Sequence, residues 1–530
     1  MASSSNSLSL GPLSLLGGVG VLAVTTVVLL GSFYFFFGNS NDKPISGIPL
    51  IGKQDGEKDY TEAKKRWMSS AKEIVNNAVR TRKHPFQVFG MNGPLIIIPP
   101  HMTSEVRTDE RMTFKSWLKR DFFTNYPGFE GFRPAVDNNV FIDSVRMGLT
   151  QSLATVVHVL AEEAEKCYEE SFPPADDWTP VKFNAIALRF IARLSARTFM
   201  PPELAKNEDW LRISVEYTLH FGKGGYVMRA IPPILRPIVH WFLPQTKQLR
   251  EDVETARRII EPTILARRKE RAADIKAGRK PKKYSDAFAW MDAITEKTGD
   301  MCDAVHGQLN YSLGAVHTTS ITFTNCMYNI VGSPGSVELL RQELIEVLGS
   351  AKSWDKTTLN QLKMMDSYMK ESNRMHPASF MTVNRIANET ITLSDGTVIP
   401  KGSALTVPNT RLYDEEYYEN PQVFNGRRFY DMRQRAGEES KHQFVTTGDD
   451  YLPFGHGKHA CPGRFFASNE IKILLAYALL QYDFKFPEDQ GQPLIRAHGL
   501  ENVTNPEAIM LYKSRTPEVS LDLDHIHKGR

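Results

Sequence analysis

One loop restricts this chain more than any other part of it. It runs Phe454-Gly455-His456-Gly457-Lys458-His459-Ala460-Cys461-Pro462-Gly463-Arg464, and an apolar helical pattern follows at once. Glycine lets backbone pass close to a flat ligand with no Cβ in the way. A cysteine just ahead of a helix start faces N–H donors and the positive end of the helix dipole, which favour thiolate over thiol. A thiolate held rigidly against a planar macrocycle is the axial ligand that drives oxygen–oxygen bond cleavage in haem enzymes. The competing reading is a buried structural cysteine in a glycine-rich turn.

The other three cysteines, Cys167, Cys302 and Cys326, show neither C-x-x-C spacing nor a secreted disulfide framework. That places the chain in a reducing compartment and leaves Cys461 free to bind metal. Lys and Arg number 64 against 61 Asp and Glu, a balance that gives no reason to propose nucleic acid as a partner. The Arg- and Lys-rich run from Arg257 to Lys283 accordingly reads as a solvated helix end and loop.

No charged side chain occurs before Asp42, and residues 12–37 are almost wholly apolar or small. As a helix that stretch would be about 39 Å long against a hydrocarbon core of about 30 Å, enough to span with tilt. The basic residues come after it (Lys43, Lys53, Lys58, Lys64, Lys65 and Arg66), so positive-inside asymmetry puts the bulk of the chain in the cytosol. We expect a tail and transmembrane anchor over residues 1–41, a Pro/Gly connector at Pro44 to Pro49, and one catalytic domain over residues 42–530.

Along that domain, Pro85 to Gly90 and Pro94 to Ile98 read as a hairpin. Thr103 to Asp143 reads as loop with short helices, and Phe141 to Glu170 as a helix. Tyr226 to Pro244 is apolar but broken by Pro232, Pro233 and Pro237. It reads either as a helix–loop–helix lying near the membrane or as plain core packing. Long helices are expected over Asp303 to Gly332, Asp366 to His376 and Arg464 to Tyr482. Short strands are expected within Thr390 to Val407, with a turn at Asp395-Gly396.

The spaced residues Phe454, Gly457, His459, Cys461 and Gly463 resemble the haem-ligand loop of the cytochrome P-450 superfamily, except that His459 stands where the family usually has arginine. On the helix ending at His376, Glu371 and Arg374 share a face. They resemble the family's E-x-x-R pair, which locks to an arginine from a later F-x-P-x-R-F segment. Here that segment is Phe424 to Phe429, with Arg428 in place and Gly426 instead of proline. Gly314-Ala315-Val316-His317-Thr318-Thr319-Ser320 resembles the oxygen-binding segment, with His317 where the family has Asp or Glu.

The resemblance implies a mainly α fold with small β-sheets, the P-450 fold, preceded by one N-terminal transmembrane helix. It implies haem with Cys461 as axial ligand. Thr318 helps deliver protons, His317 is either a proton relay or a bystander, and Phe454 shields the sulfur. His459 and Arg385 are the propionate contacts. Glu371, Arg374 and Arg428 are structural. A third propionate contact from a W-x-x-x-R helix has no match, since Trp117-Leu118-Lys119-Arg120 has the wrong spacing. Substrate-lining residues are expected in Phe122 to Phe132, at Leu313 and Val316, in Ala378 to Met381 and in Val503 to Ala508.

The wording of the cysteine loop is most similar to fungal enzymes such as the kaurene oxidases. The implied function is oxidation of an apolar secondary metabolite, a terpenoid or related intermediate, with dioxygen. Electrons would come from NADPH-cytochrome P-450 reductase at the endoplasmic reticulum membrane. Lys458, Arg464 and Lys472 are candidates to meet an acidic partner surface. Oxidative phenol coupling of an aromatic polyketide, peroxide isomerisation or dehydration, and non-catalytic haem binding in a membrane remain as alternatives.

Overall fold

The computed structural model describes residues 43–523. The expected span over residues 12–37 lies outside them. No helix among the described residues is long and apolar enough to cross a membrane.

Eight helices frame the site: α1 (Thr61–Thr81), α2 (Thr150–Ser171), α3 (Phe183–Phe199), α4 (Glu208–Ala230), α5 (Pro244–Lys276), α6 (Ala304–Gly332), α7 (Lys363–Met375) and α8 (Arg464–Gln481). Helix α6 is buried around much of its circumference and packs against α3, α4, α5, α7 and α8. Asp303 starts it, its carboxylate accepting the Val305 and His306 N–H groups at 2.9 Å each. Helix α7 is buried at every position from Met364 to Arg374 and stops two residues before Pro377, where the helical conformation is disfavoured. Helix α8 has no side-chain N-cap, although it is buried from Ser468 to Leu480. Its start is tied instead to the cysteine loop.

The β content is small, as expected. Strands β1 (Phe86–Gly90), β2 (Gly93–Ile97), β3 (Met112–Thr113), β4 (Met381–Ala387) and β5 (Ala404–Pro408) form one sheet in the order β1-β2-β5-β4-β3. Its pairs are antiparallel except β2–β5. The register of β4 on β5 shifts between Thr382 and Arg385, and Val383 takes a φ of 53°, which a β-branched residue rarely adopts. This bulge re-aims the strand at the residue that the site uses.

The helical pattern from Phe141 onward holds a further irregularity. Ser144–Leu149 is a π-helical segment running into α2. Gly148 sits there against Trp290 with no room for a Cβ. Such segments interrupt α-helical register and recur at functional sites.

Candidate active site

Cys461 sits between two turns of backbone that leave its sulfur little choice of direction. Its N–H donates to the Phe454 carbonyl at 2.7 Å, closing the loop on itself. Gly455 and Gly457 hold φ of 65° and 70°. A Cβ on Gly457 would lie 2.6 Å from Arg107 Nη1, which would have to move aside, but the positive φ itself already favours glycine there. On the helix side, the N–H groups of Gly463 and Arg464 hydrogen-bond the sulfur, with the Arg464 guanidinium adding charge. These groups favour thiolate, yet burial outweighs them and pushes the Cys461 thiol up. The loop and helix end supply the donors that the sequence led us to expect, and the cation that would complete the balance in favour of thiolate is a bound metal.

Above the sulfur lies a cavity of about 390 Å³ walled largely by apolar side chains. Phe114, Phe132, Phe141 and Phe199 line one side, and Phe444 and Phe454 flank the cysteine. Phe454 meets Phe444 edge-on, ring centroids 5.1 Å apart. Helix α6 crosses the cavity with Gly314, Ala315, Thr318, Thr319 and Thr322. No neighbour lies within 4 Å of where a Gly314 Cβ would stand, so the helix leaves open space there. Thr318 Oγ1 donates to the Gly314 carbonyl at 2.8 Å. Both groups therefore face the cavity together, one as a hydroxyl and one as a carbonyl it can release.

His317 does not join them. It is absent from the cavity wall, and its Nε2 donates to the Val215 carbonyl of α4 at 2.8 Å. Burial lowers its pKa, which keeps the ring neutral and in that role. Of the two readings of His317, relay or bystander, this geometry answers to the bystander, because one residue along a helix turns the side chain about 100° from its neighbour.

A cluster of cations borders the loop. Arg385 is 2% exposed, pairs with no carboxylate among the described residues, and leaves Nε without a partner. Nη1 donates to the Asn384 carbonyl at 2.8 Å. Burial drops its pKa to about 10. His459 is pushed down to about 4 by desolvation, then by the charges of Arg385, Lys458 and Arg146. Arg146, on the π-helical segment, donates to the Lys458 carbonyl at 2.6 Å.

A buried guanidinium with an orphaned N–H, facing further cations beside a cysteine sulfur, fits the propionates of a haem. Arg385 and His459 lie near enough for the Arg385 charge to act on His459, and both would be placed to hold propionates. Arg146, bonded to the cysteine loop, would supply the propionate contact that the sequence left open. It stands four residues after Ile142, so the expected spacing was present with isoleucine in the tryptophan position.

The Glu371 cluster forms as expected. Arg374 Nε and Nη2 reach the two carboxylate oxygens at 2.8 and 2.9 Å, and Arg428 Nε lies 3.1 Å from both. The Asn425 N–H donates to it at 3.0 Å. Arg374 also holds the Leu412 carbonyl, and Arg428 those of Glu419 and Val423. Every guanidinium nitrogen has a partner, which is what makes a buried carboxylate with two guanidinium groups tolerable.

Gly426 is required rather than merely permitted, since the Tyr368 ring fills the space its Cβ would take. The Ser367 hydroxyl also donates to the Gly426 carbonyl.

Several expectations about the periphery are corrected. Lys472 is buried and paired to Asp366 at 2.8 Å, so it meets no partner surface. Arg464 spends its donors on the Val445 and Cys461 carbonyls, while Lys458 is exposed, 3.4 Å from Glu110. Of the expected lining residues, Phe132 and Ala378 reach the cavity, whereas Leu313 and Val316 are buried behind it. Val503 to Ala508 borders a separate surface cleft.

The comparisons with known proteins agree with this geometry. The family model for cytochrome P-450 matches residues 226–512. The chain is 36% identical over 479 residues to cytochrome P-450 monooxygenase hepE of Aspergillus oryzae, covering 89% of this chain and 86% of that one. It is 34% identical over 511 residues to cytochrome P-450 monooxygenase esdpI of Penicillium shearii, covering 95% and 96%. It is 37% identical over 438 residues to cytochrome P-450 monooxygenase 1 of Gibberella fujikuroi, covering 82% and 99%. Likeness sustained over nearly the whole length, with the cysteine loop seated as the fold demands, means that this chain belongs to the cytochrome P-450 superfamily, as a haem-thiolate monooxygenase of the fungal secondary-metabolism type.

Proposed function

We propose that the protein hydroxylates an apolar secondary metabolite of the terpenoid class at the endoplasmic reticulum membrane. Its electrons come from NADPH-cytochrome P-450 reductase. The observation that carries the substrate side is the cavity wall. Apart from the α6 hydroxyls, Asn310, Tyr311 and Asn373, it presents aromatic and aliphatic side chains. Several of those polar groups are already engaged: Tyr311 with Ser144 at 2.8 Å, Asn310 with the Gly131 carbonyl, and Asn373 with Tyr451 at 3.3 Å. A substrate there gains mainly from burial, and a polar one would lose hydration without replacement.

Haem, when bound, supplies the iron that activates dioxygen for insertion into a C–H bond. The chain's own residues do the rest. Cys461 donates sulfur, Gly463 and Arg464 hold it, and Phe444 and Phe454 exclude water. Arg385, Arg146 and His459 would orient the propionates, and Thr318 offers a hydroxyl on the cavity face of α6. A membrane setting is supported by an exposed apolar run on the α4–α5 connector. Ile234, Ile238, Trp241 and Phe242 are all more than half exposed, which suits a lipid interface better than water.

The test is co-expression with a reductase in a host fed diterpene hydrocarbons and aromatic polyketides, followed by mass spectrometry. Gain of one oxygen on a terpenoid is expected. A dimer lacking two hydrogens would place the chain among the phenol-coupling enzymes. Turnover of neither class would remove the substrate reading while leaving the family intact.

A further inference from the structure

Helix α6 carries a polar stripe that runs beyond the cavity. Thr318, Thr322, Asn325 and Asn329 follow at steps of four, three and four residues, so they stack on one face. Thr318 and Thr322 line the cavity, and Thr322 Oγ1 donates to the Thr318 carbonyl at 2.8 Å.

Asn325 comes next and is 1% exposed. Neither its Oδ1 nor its Nδ2 has a hydrogen-bond partner among the described residues. One turn on, Asn329 Nδ2 donates to Ser372 Oγ of α7 at 2.9 Å, and its Oδ1 accepts from Gln492 Nε2 at 3.2 Å. Gln492 is exposed and borders the surface cleft of about 700 Å³ between Gln490 and Ala508. Gly332, at the end of α6, leaves no room for a Cβ beside that side chain.

A carboxamide offers two donors and two acceptor sites, and native interiors do not leave all of them unmet. Where no protein group answers, ordered water does, provided the surroundings are polar. The surroundings here are a hydroxyl on one side and a second carboxamide on the other. Meanwhile the side chain that stands in the family's acidic position, His317, is turned to Val215.

We infer that the seam between α6 and α7 is a hydrated proton path leading from the Gln492 cleft, past Asn329 and Asn325, to Thr322 and Thr318. The carboxamides do not exchange protons. They anchor waters, and waters and threonine hydroxyls pass the protons along about 17 Å of helix.

The stoichiometry of dioxygen reduction reports on the path without any organic substrate, so this inference stands or falls apart from the terpenoid reading. One NADPH and one proton reduce dioxygen to hydrogen peroxide. Two NADPH and two protons reduce it to two waters. A starved path stops more often at peroxide, and the ratio of NADPH to dioxygen falls toward one.

The test uses full-length holoenzyme with a P-450 reductase and NADPH, in native form and as Asn325→Leu, Asn329→Leu and Gln492→Leu. The carbon monoxide spectrum of the reduced protein confirms folding and ligation. The water share of consumed dioxygen is expected to fall at least about twofold in Asn325→Leu, with Gln492→Leu moving the same way. His317→Leu should stay at the native share. A native protein that makes peroxide alone, or a folded Asn325→Leu with the native water share, overturns the path.

Should Asn325→Leu fail to fold, the exposed Gln492→Leu carries the same readout. A crystal structure of the native holoenzyme gives a second one. Ordered water bonded to Asn325 supports the path, and a direct side-chain partner in its place overturns it.

Discussion

Arg385 is placed by a defect in a strand. The bulge at Val383 turns its side chain inward, where it meets no carboxylate. Arg385→Leu should therefore weaken haem retention by about tenfold, the scale of one lost charge-assisted hydrogen bond. Haem transfer to apomyoglobin would measure it.

Cys461→Ser should abolish the thiolate-type carbon monoxide absorption shift. Retention of the shift would place the ligand elsewhere. Thr318→Ala should divert NADPH to peroxide.

His376 carries a pH dependence. Burial, then Lys72 and Arg374, push its imidazole down to about 4, whereas in the unfolded chain it titrates near 6.5. Between those values the unfolded state binds more protons. Stability therefore rises with pH through that window and is lost as pH falls from about 6.5 to 4, by at most about 3 kcal/mol. Denaturation midpoints at both ends should differ less in His376→Gln than in the native chain.

At the scale of elements, α7 anchors the segments that lead into the cysteine loop. The Glu371 cluster fixes the 412–428 segment on α7, and Gly426 lets Tyr368 close over it. Gly426→Ala should cost about 1–3 kcal/mol by overpacking, with much of it recovered when Tyr368→Leu is added. Urea unfolding of the single and double variants would show this.

The boundaries of α6, α7 and α8 were legible to within about three residues, because Asp303, Pro377 and the glycine loop mark them chemically. Arg374 was legible because spacing along a helix fixes who shares a face with Glu371, whereas Arg428 was legible only through the resemblance of the 424–429 segment to the family's motif. What escaped the sequence depends on packing between distant segments. The rotation of His317 toward α4 is of this kind, as are the burial of Lys472 against Asp366, the π-helical segment that carries Arg146, and the bulge behind Arg385. None of these leaves a local pattern.

Across the whole molecule, two features bear on the proposed membrane setting. One is the apolar stretch over residues 12–37, and the other is the exposed run Ile234 to Phe242. Removing residues 2–41 should release only part of the protein from vesicles. Adding Trp241→Ser and Phe242→Ser should release the remainder, since each aromatic contributes about 2 kcal/mol when buried. Flotation on a sucrose gradient separates the two contributions.

The cations gathered around the cysteine loop have a consequence for supply as well as for catalysis. Burial, and the charge that Arg385, Lys458 and Arg146 crowd around His459, hold its ring neutral until an anionic ligand arrives, so the prosthetic group acts as a folding partner by mass action. A cell short of porphyrin should accumulate less of this protein, not merely a less active form. Feeding a porphyrin precursor should raise its abundance at constant messenger level.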